Sequence, residues 1–176
     1  MYIWIGCKLP DAFSQKIRAK CLACNEKIGL NTVAFSLPQH ISLKISFLSN
    51  RWEEILCDLS AWLKEQRSAI VCLRDLQVQG NVLWMSVGEN VWLTELHEAL
   101  DAQLKRRFDV PQHPFDKEFM FHSTLFLDDD VSKLAAMRDI LMEEFTEQEL
   151  PADTFLLGVS PTGKPGSYRV VREITV

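Results

Sequence analysis

Apolar side chains recur along the chain with two different spacings, and these spacings predict alternating strands and helices. Between residues 35 and 48, apolar and polar residues alternate one by one, which is typical of a strand with one buried face. Between Pro10 and Gly29, apolar residues lie mostly three or four positions apart, as expected of a helix. The spacings predict strands at 1–9, 35–48, 69–77, 81–87, 119–127, 154–160 and 168–176. They predict helices at 11–28, 52–66, 91–108 and 131–145.

The order of these elements repeats in the second half of the chain. Ile3-Trp4-Ile5 corresponds to Leu83-Trp84-Met85, and His40 corresponds to His122, with offsets of 80 and 82 residues. Repeated supersecondary units usually pack as pseudo-symmetric neighbours. We therefore expect one two-lobed domain over residues 1–176, with a pseudo-repeat of about 1–80 and 81–176. Corresponding strands would then lie side by side across a central cleft, and both histidines would face it.

Composition places the chain among ordinary globular proteins. Hydrophobic residues make up 47% of the 176 positions and charged residues 24%, and no apolar run is long enough to span a bilayer. We expect a cytoplasmic monomer that has no membrane partner. The five cysteines form an odd, scattered set, and Cys21-x-x-Cys24 falls within a predicted helix without a second ligand pair, so structural use is favoured over zinc or redox chemistry.

The charge balance limits how nucleic acid could be bound. A formal net charge of -5 and a pI near 5.4 argue against a broad basic surface that neutralises many phosphates. A cleft for one phosphate and one or two nucleotides needs only a few basic groups, so contact with RNA would have to be local.

Two short motifs could carry chemistry: His40-Ile41-Ser42-Leu43 and His122-Ser123-Thr124-Leu125. Residues two apart on a strand point the same way, so each histidine shares a face with the hydroxyl of Ser42 or Thr124. Two imidazoles and two hydroxyls suffice for phosphodiester hydrolysis without metal. One imidazole takes a proton from water, the other gives a proton to the leaving oxygen, and the hydroxyls hold the non-bridging oxygens. A single such motif is a weak signal, because a lone strand histidine is more often packed or solvated than catalytic. The other histidines, His97 and His113, match no motif and are predicted at the surface.

The paired histidine, any residue, Ser or Thr, apolar motifs resemble those of the two-histidine phosphoesterase superfamily, in particular its bacterial 2'-5' RNA ligase or RNA 2',3'-cyclic phosphodiesterase branch. The resemblance implies an α+β fold in which two antiparallel sheets line the cleft, with helices on the outside. It implies an enzyme without metal or cofactor that opens cyclic phosphates or 2'-5' bonds on an RNA terminus, an oligonucleotide or a small cyclic nucleotide, with 2'-5' ligation as the reverse reaction. It assigns catalysis to His40 and His122 and phosphate binding to Ser42 and Thr124.

Family members often carry basic or aromatic residues around the cleft for the base and ribose. The candidates here are Lys44, Phe126, Lys164, Tyr168 and Arg169. The two-residue period puts Lys44 and Phe126 on the motif faces. Lys164 lies in a turn rich in Gly and Pro, where a solvated charge is the commoner interpretation.

Two other functions remain open at this point. The same fold could bind a nucleotide or RNA without turnover, or His40, His122 and Asp128–Asp130 could form a metal-dependent hydrolase. The three aspartates have no recognised ligand spacing, and they immediately precede the helix predicted from Val131. Negative charge is favourable at that end of a helix, so we predict that they cap it.

Overall fold

The strands form two four-stranded antiparallel sheets, as the α+β interpretation requires. The structure, a computed structural model, describes residues 1–176. Its helices are α1 (Asp11–Ile28), α2 (Trp52–Leu63), α3 (Val91–Phe108) and α4 (Val131–Met142). Its strands are β1 (Tyr2–Lys8), β2 (His40–Leu48), β3 (Ala69–Gln79), β4 (Val82–Val87), β5 (His122–Leu127), β6 (Gln148–Ala152), β7 (Thr154–Ser160) and β8 (Arg169–Thr175).

The two sheets do not correspond to the two halves of the sequence on either side of residue 80, because each sheet contains strands from both halves. The first sheet has the order β2-β1-β7-β8 and the second β5-β4-β3-β6. Strand β3 joins β4 through a tight turn in which Gly80 adopts a φ of +57°, so it belongs to the second sheet. Strands β7 and β8, from the end of the chain, complete the first sheet. The segments that correspond are therefore β1-α1-β2 and β4-α3-β5, each ending in an edge strand that carries a motif.

Helices cover both sheets, and the two lobes share one interior. Helix α2 packs on β7 and β8, α3 packs on β2, α4 packs on β3 and β4, and α1 lies against α4. A single cluster of 33 buried apolar residues runs through both sheets, so the two lobes share a continuous core. Between them the buried Ser123 hydroxyl donates a hydrogen bond to Gln39 Oε1 at 2.9 Å. No helix has the length and apolar character needed to cross a bilayer.

One strand was not predicted from the sequence. Strand β6 pairs antiparallel with β3 at the edge of the second sheet. Its residues, Gln-Glu-Leu-Pro-Ala, lack β-branched side chains and include Pro151, which is tolerated on an edge strand because no partner needs its missing N–H. Helices α2 and α4 also end three residues before their predicted ends, whereas α1 and α3 have the predicted bounds.

Strands β2 and β5 each carry a bulge at the same place. In the first sheet Gly6 pairs with Ser42 and Ile5 with Lys44, so Leu43 is the extra residue. In the second sheet Trp84 pairs with Thr124 and Leu83 with Phe126, so Leu125 is the extra residue. A bulge places two successive residues opposite one partner and breaks the alternation of faces. Lys44 and Phe126, the next residues expected on the motif faces, are therefore displaced from them, and a second irregularity in β2, opposite Trp4, returns Ser46 to the cleft.

Candidate active site

Both motif histidines line one cleft of about 540 Å³ between the two sheets. His40 opens β2 and His122 opens β5, and these two edge strands face each other across the cleft. Each imidazole is half-buried, and the hydroxyl residues Ser42 and Thr124 line the same space. The expectation that the two motifs meet in a central cleft is therefore confirmed by the geometry.

The two imidazoles are held in the same way. Nδ1 of His40 lies 2.7 Å from the carbonyl oxygen of Pro38, and Nδ1 of His122 lies 2.7 Å from that of Met120. A carbonyl only accepts, so Nδ1 carries the proton in each neutral ring and Nε2 is left with a lone pair. Neither Nε2 has a hydrogen-bond partner in the protein. Each Nε2 can therefore accept a proton and, once protonated, give one to a molecule bound in the cleft.

Each imidazole also lies against a buried tryptophan. The rings of Trp84 and His122 stack with centroids 4.2 Å apart and an interplanar angle of 25°. The rings of Trp4 and His40 meet edge to face, 4.3 Å apart at 69°. These tryptophans line the cleft but were not predicted as site residues, although they occupy corresponding positions in the two repeated segments. A residue pair repeated at nearly the same offset as the histidines was the available signal.

Trp4 is also tied to the first motif and to two glycines. Its Nε1–H donates a hydrogen bond to Ser42 Oγ at 3.2 Å, so the hydroxyl proton of Ser42 stays available for a ligand oxygen. A Cβ atom at Gly158 would lie 2.5 Å from Trp4 Cε3, and one at Gly6 would lie 2.7 Å from Trp4 Cζ2. The indole therefore packs directly on the backbone at these two positions, where any residue other than glycine would clash with it. This packing fixes the ring that holds Ser42 and contacts His40.

Burial controls the protonation of both histidines. Loss of hydration lowers the pKa of His40 to about 4, and the charge on His122 adds to this effect, whereas the hydrogen bond to Pro38 opposes it. Desolvation also lowers the pKa of His122 and outweighs the hydrogen bond to Met120. In the protein without ligand, both imidazoles are therefore neutral at pH 7. A bound phosphate anion would favour a positive charge on either ring and so raise the pKa that burial has lowered.

The sequence of residues 11–160 matches the family model described as 2'-5' RNA ligase superfamily. This chain belongs to that superfamily. Membership supports an enzyme with phosphodiesterase- or ligase-type activity, and it agrees with the resemblance that the two motifs carry. No match to a curated protein sequence was found at a significant level.

Several solved structures share the fold of this chain. The structure of TT0787 of Thermus thermophilus is 18% identical, with a TM-score of 0.65 over 99% of this chain and 97% of that one. Escherichia coli LigT complexed with 3'-AMP is 19% identical, with a TM-score of 0.56 over 99% and 96%. Kluyveromyces marxianus Usb1 is 13% identical, with a TM-score of 0.55 over 99% and 98%. At these identities the likeness establishes the fold alone.

The superfamily resemblance offered five candidates for substrate contacts, and the structure separates them. Tyr168 lines the cleft, and its hydroxyl donates a hydrogen bond to Ser46 Oγ at 2.8 Å. Lys164 is exposed between two cleft-lining residues of the Gly/Pro turn, Gly163 and Pro165. Arg169 is exposed on β8 and does not line the cleft.

Phe126 does not face the cleft, and the expectation that it shares the face of the second motif is wrong. It is fully buried in the core, where its ring meets that of Phe35 edge to face at 5.3 Å. The bulge at Leu125 reverses the alternation, so Leu127 lines the cleft instead.

Lys44 is affected by the corresponding bulge. It borders the cleft, but its side chain is almost completely buried, and its ammonium lies 2.6 Å from Asp101 and 2.6 Å from Asp116. Burial alone would raise the pKa of the Asp116 carboxyl, but hydrogen bonds from Lys44 and from the backbone N–H of His113 outweigh burial and hold this pKa below its usual range. Lys44 is therefore a buried cation whose charge is already compensated by two carboxylates, and it does not offer the cleft the free basic group that was considered for the base and ribose.

The prediction that His97 lies at the surface is wrong. It is buried on α3, with Nδ1 2.7 Å from the carbonyl oxygen of Leu43 and Nε2 3.0 Å from that of Asp116. His97 thus joins strand β2 to the loop that precedes β5. His113 is exposed, as predicted, and its ring Nδ1 accepts a hydrogen bond from the N–H of Phe115.

The groups that could hold a metal ion are not those considered from the sequence. Asp130 accepts a hydrogen bond from the N–H of Lys133, which confirms the predicted cap of α4, and Asp128 accepts one from the N–H of Asn31. Donor atoms of His97, Asp101 and Asp116 do lie within 4.8 Å of one another. The Lys44 ammonium already bridges the two carboxylates, so a cation occupies that position without a metal.

Proposed function

We propose that this chain is a metal-independent phosphodiesterase that opens 2',3'-cyclic phosphates or 2'-5' phosphodiester bonds on RNA ends or nucleotides, without a cofactor. The reverse 2'-5' ligation is open to the same site. The observation that carries the proposal is the pair of imidazoles in one cleft, each with Nδ1 bonded to a backbone carbonyl and Nε2 unpartnered. A hydroxyl residue lies two positions after each imidazole. Escherichia coli LigT complexed with 3'-AMP and with ATP supports a nucleotide ligand for a cleft of this fold.

The reaction needs two proton transfers at one phosphorus atom. On a 2',3'-cyclic phosphate, a water molecule attacks phosphorus and gives a proton to one Nε2, while the other imidazole gives its proton to the 2' or 3' oxygen as the bond from that oxygen to phosphorus breaks. On a 2'-5' bond, the neighbouring 3' hydroxyl takes the place of water and the 5' oxygen leaves with the proton, which is the reverse of ligation. Ser42 and Thr124 donate hydrogen bonds to the non-bridging oxygens. Each imidazole ends with the charge state opposite to the one it began with, and solvent restores both.

We further propose that His40 is the base and His122 the acid. His40 has its pKa lowered to about 4 by burial, which keeps Nε2 unprotonated and ready to accept. His122 stacks face to face on Trp84, and the face of an indole ring attracts a positive charge, so this ring is better suited to carry the proton that the leaving oxygen needs.

These two protonation states make the rate depend on pH. We expect kcat/KM to follow a bell with its maximum between about 4, where His40 loses its proton, and 6.5, the ordinary value above the lowered pKa of His122. At higher pH, kcat/KM should fall because His122 in the free enzyme is neutral. The kcat maximum should lie at higher pH, since the bound phosphate raises the pKa of both rings. Steady-state rates between pH 4 and 9 on a 2',3'-cyclic nucleotide measure both profiles, and a kcat/KM that rises to a plateau above pH 8 would contradict them.

The hydroxyls should matter less than the imidazoles. We expect Ser42→Ala and Thr124→Ala each to lower kcat by about tenfold, because each loses one hydrogen bond to a charged oxygen that neighbouring donors partly replace. The Ser42 change should be the larger, since it also leaves Trp4 Nε1 without its acceptor. Ser68→Ala, at an exposed position outside the cleft, is the matched control. Equal rates for all three variants and the wild type would remove the hydroxyls from the mechanism.

The function itself is tested by a substrate panel. Purified protein is incubated with 2',3'-cyclic mononucleotides and with 2'-5'- and 3'-5'-linked dinucleotides, and the position of the product phosphate is determined. The proposal predicts turnover of cyclic or 2'-5' substrates and no cleavage of the 3'-5' linkage. Tight binding of these nucleotides without any turnover would favour a non-catalytic nucleotide- or RNA-binding module of the same fold.

A further inference from the structure

The cleft contains almost no free positive charge. Apart from the two histidines, the charged residues that line it are Lys44 and Glu118. The Lys44 ammonium is held between Asp101 and Asp116, so it contributes no uncompensated charge. Glu118 is exposed and has no cationic partner in the protein. Beyond the place of the scissile phosphate, the cleft is therefore neutral to negative, within a chain whose formal net charge is -5.

The remaining lining is apolar and opens towards solvent. Phe115 and Met120, in the loop before β5, line the cleft and are 70% and 55% exposed. Leu127 and Leu37 also line it. Large exposed apolar side chains next to a polar site are typical of ligand-binding surfaces, and nucleobases stack on aromatic rings whatever their identity.

Resting on the proposed phosphodiesterase activity, we propose that the substrate is a nucleoside 2',3'-cyclic monophosphate with no second phosphate, rather than an RNA end. The imidazoles and hydroxyls of the two motifs serve one phosphate, and the apolar mouth around Phe115 receives the base. A second phosphate within the cleft would lose hydration without gaining a cation and would be repelled by Glu118. Lys164 is exposed in the turn at the rim, where water screens its charge.

The test compares three substrates that share one reacting group. These are adenosine 2',3'-cyclic monophosphate, the same nucleotide with a 5'-phosphate, and a trinucleotide that ends in the cyclic phosphate. We expect kcat/KM to be at least about tenfold lower for the second and third, a difference that corresponds to about 1.4 kcal/mol. For the first substrate, kcat/KM should change less than about twofold between 50 and 500 mM salt, because few counterions are released when few phosphates are neutralised.

Substitutions test whether Glu118 causes the preference for a substrate with a single phosphate. The quantity to compare is kcat/KM for the cyclic nucleotide without a 5'-phosphate divided by kcat/KM for the one with it. Glu118→Gln should lower this ratio several-fold, whereas Glu149→Gln, exposed on β6 outside the cleft, should leave it unchanged. Lys164→Gln should not lower the rate with the 5'-phosphorylated substrate more than with the other.

The outcomes separate this inference from the function on which it rests. If no cyclic substrate is turned over, the proposed function fails and the inference fails with it. If all three are turned over and the trinucleotide or the 5'-phosphorylated nucleotide is preferred, with a steep loss of rate in high salt, the phosphodiesterase stands and the single-phosphate substrate is wrong.

Discussion

Replacing either motif histidine by alanine should lower kcat/KM for a 2',3'-cyclic nucleotide by at least about 10²-fold. Opening the ring requires a proton to leave water and another to reach the departing oxygen in the same transition state, so neither His40 nor His122 is effective alone. For the same reason the double variant should lose little beyond the worse single variant. Steady-state rates of the purified proteins, with thermal unfolding curves to show that each is folded, give the comparison.

Two further measurements make this result specific. Ser68→Ala, at an exposed position outside the cleft, should keep full activity. With a substrate whose leaving group is nitrophenolate, which needs no proton, His122→Ala should regain most of the lost rate and His40→Ala should not. A loss of less than a few-fold for either single variant across the pH range would dismiss the paired mechanism and favour the binding module.

Replacing Lys44 by methionine should destabilise the fold by about 3–5 kcal/mol, because it removes the only ammonium between two buried carboxylates. The side chains of Asp101 and Asp116 are 11% and 0% exposed, so neither can recover full hydration when the cation is lost. Urea unfolding of the variant and the wild type measures the difference in the free energy of unfolding.

Lys105→Met is the matched control for this change. Lys105 pairs with Asp109 on the exposed end of α3, where both partners are well hydrated, so its loss should alter the free energy of unfolding little. If Lys44→Met costs no more than Lys105→Met, the cluster around Lys44 does not stabilise the protein, and the assignment of Lys44 to structure in place of substrate binding loses its support.

The placement of the two motifs could be predicted from the sequence because it depends on local patterns. His40 with Ser42 and His122 with Thr124 lie before the bulges, where the two-residue period still holds, so each pair does share a face. The two-residue period placed Lys44 and Phe126 incorrectly, and the reason is also local. One extra residue in each strand turned Lys44 and Phe126 away from the motif face, and no feature of the Leu43 or Leu125 positions in the sequence marks a bulge.

Features that depend on distant residues were not accessible in this way. His97 is buried because carbonyl oxygens of β2 and of the loop before β5 converge on it, and that convergence exists only in the folded chain. The exchange of β3 for β7 and β8 between the halves follows from strand pairing, which periodicity does not encode. Trp4 was seen as part of a repeat, but its bond to Ser42 required knowledge of which strands are neighbours.

In the proposed mechanism, two imidazoles alone perform the proton transfers in this cleft. This mechanism is tested most directly by the turnover of adenosine 2',3'-cyclic monophosphate by the wild-type protein, measured after EDTA treatment and again after addition of Mg²⁺, Mn²⁺ or Zn²⁺. We expect formation of an adenosine monophosphate with a single product phosphate position, at a rate that chelator and added ions leave unchanged. Activity that disappears with EDTA and returns with a divalent ion would contradict this mechanism.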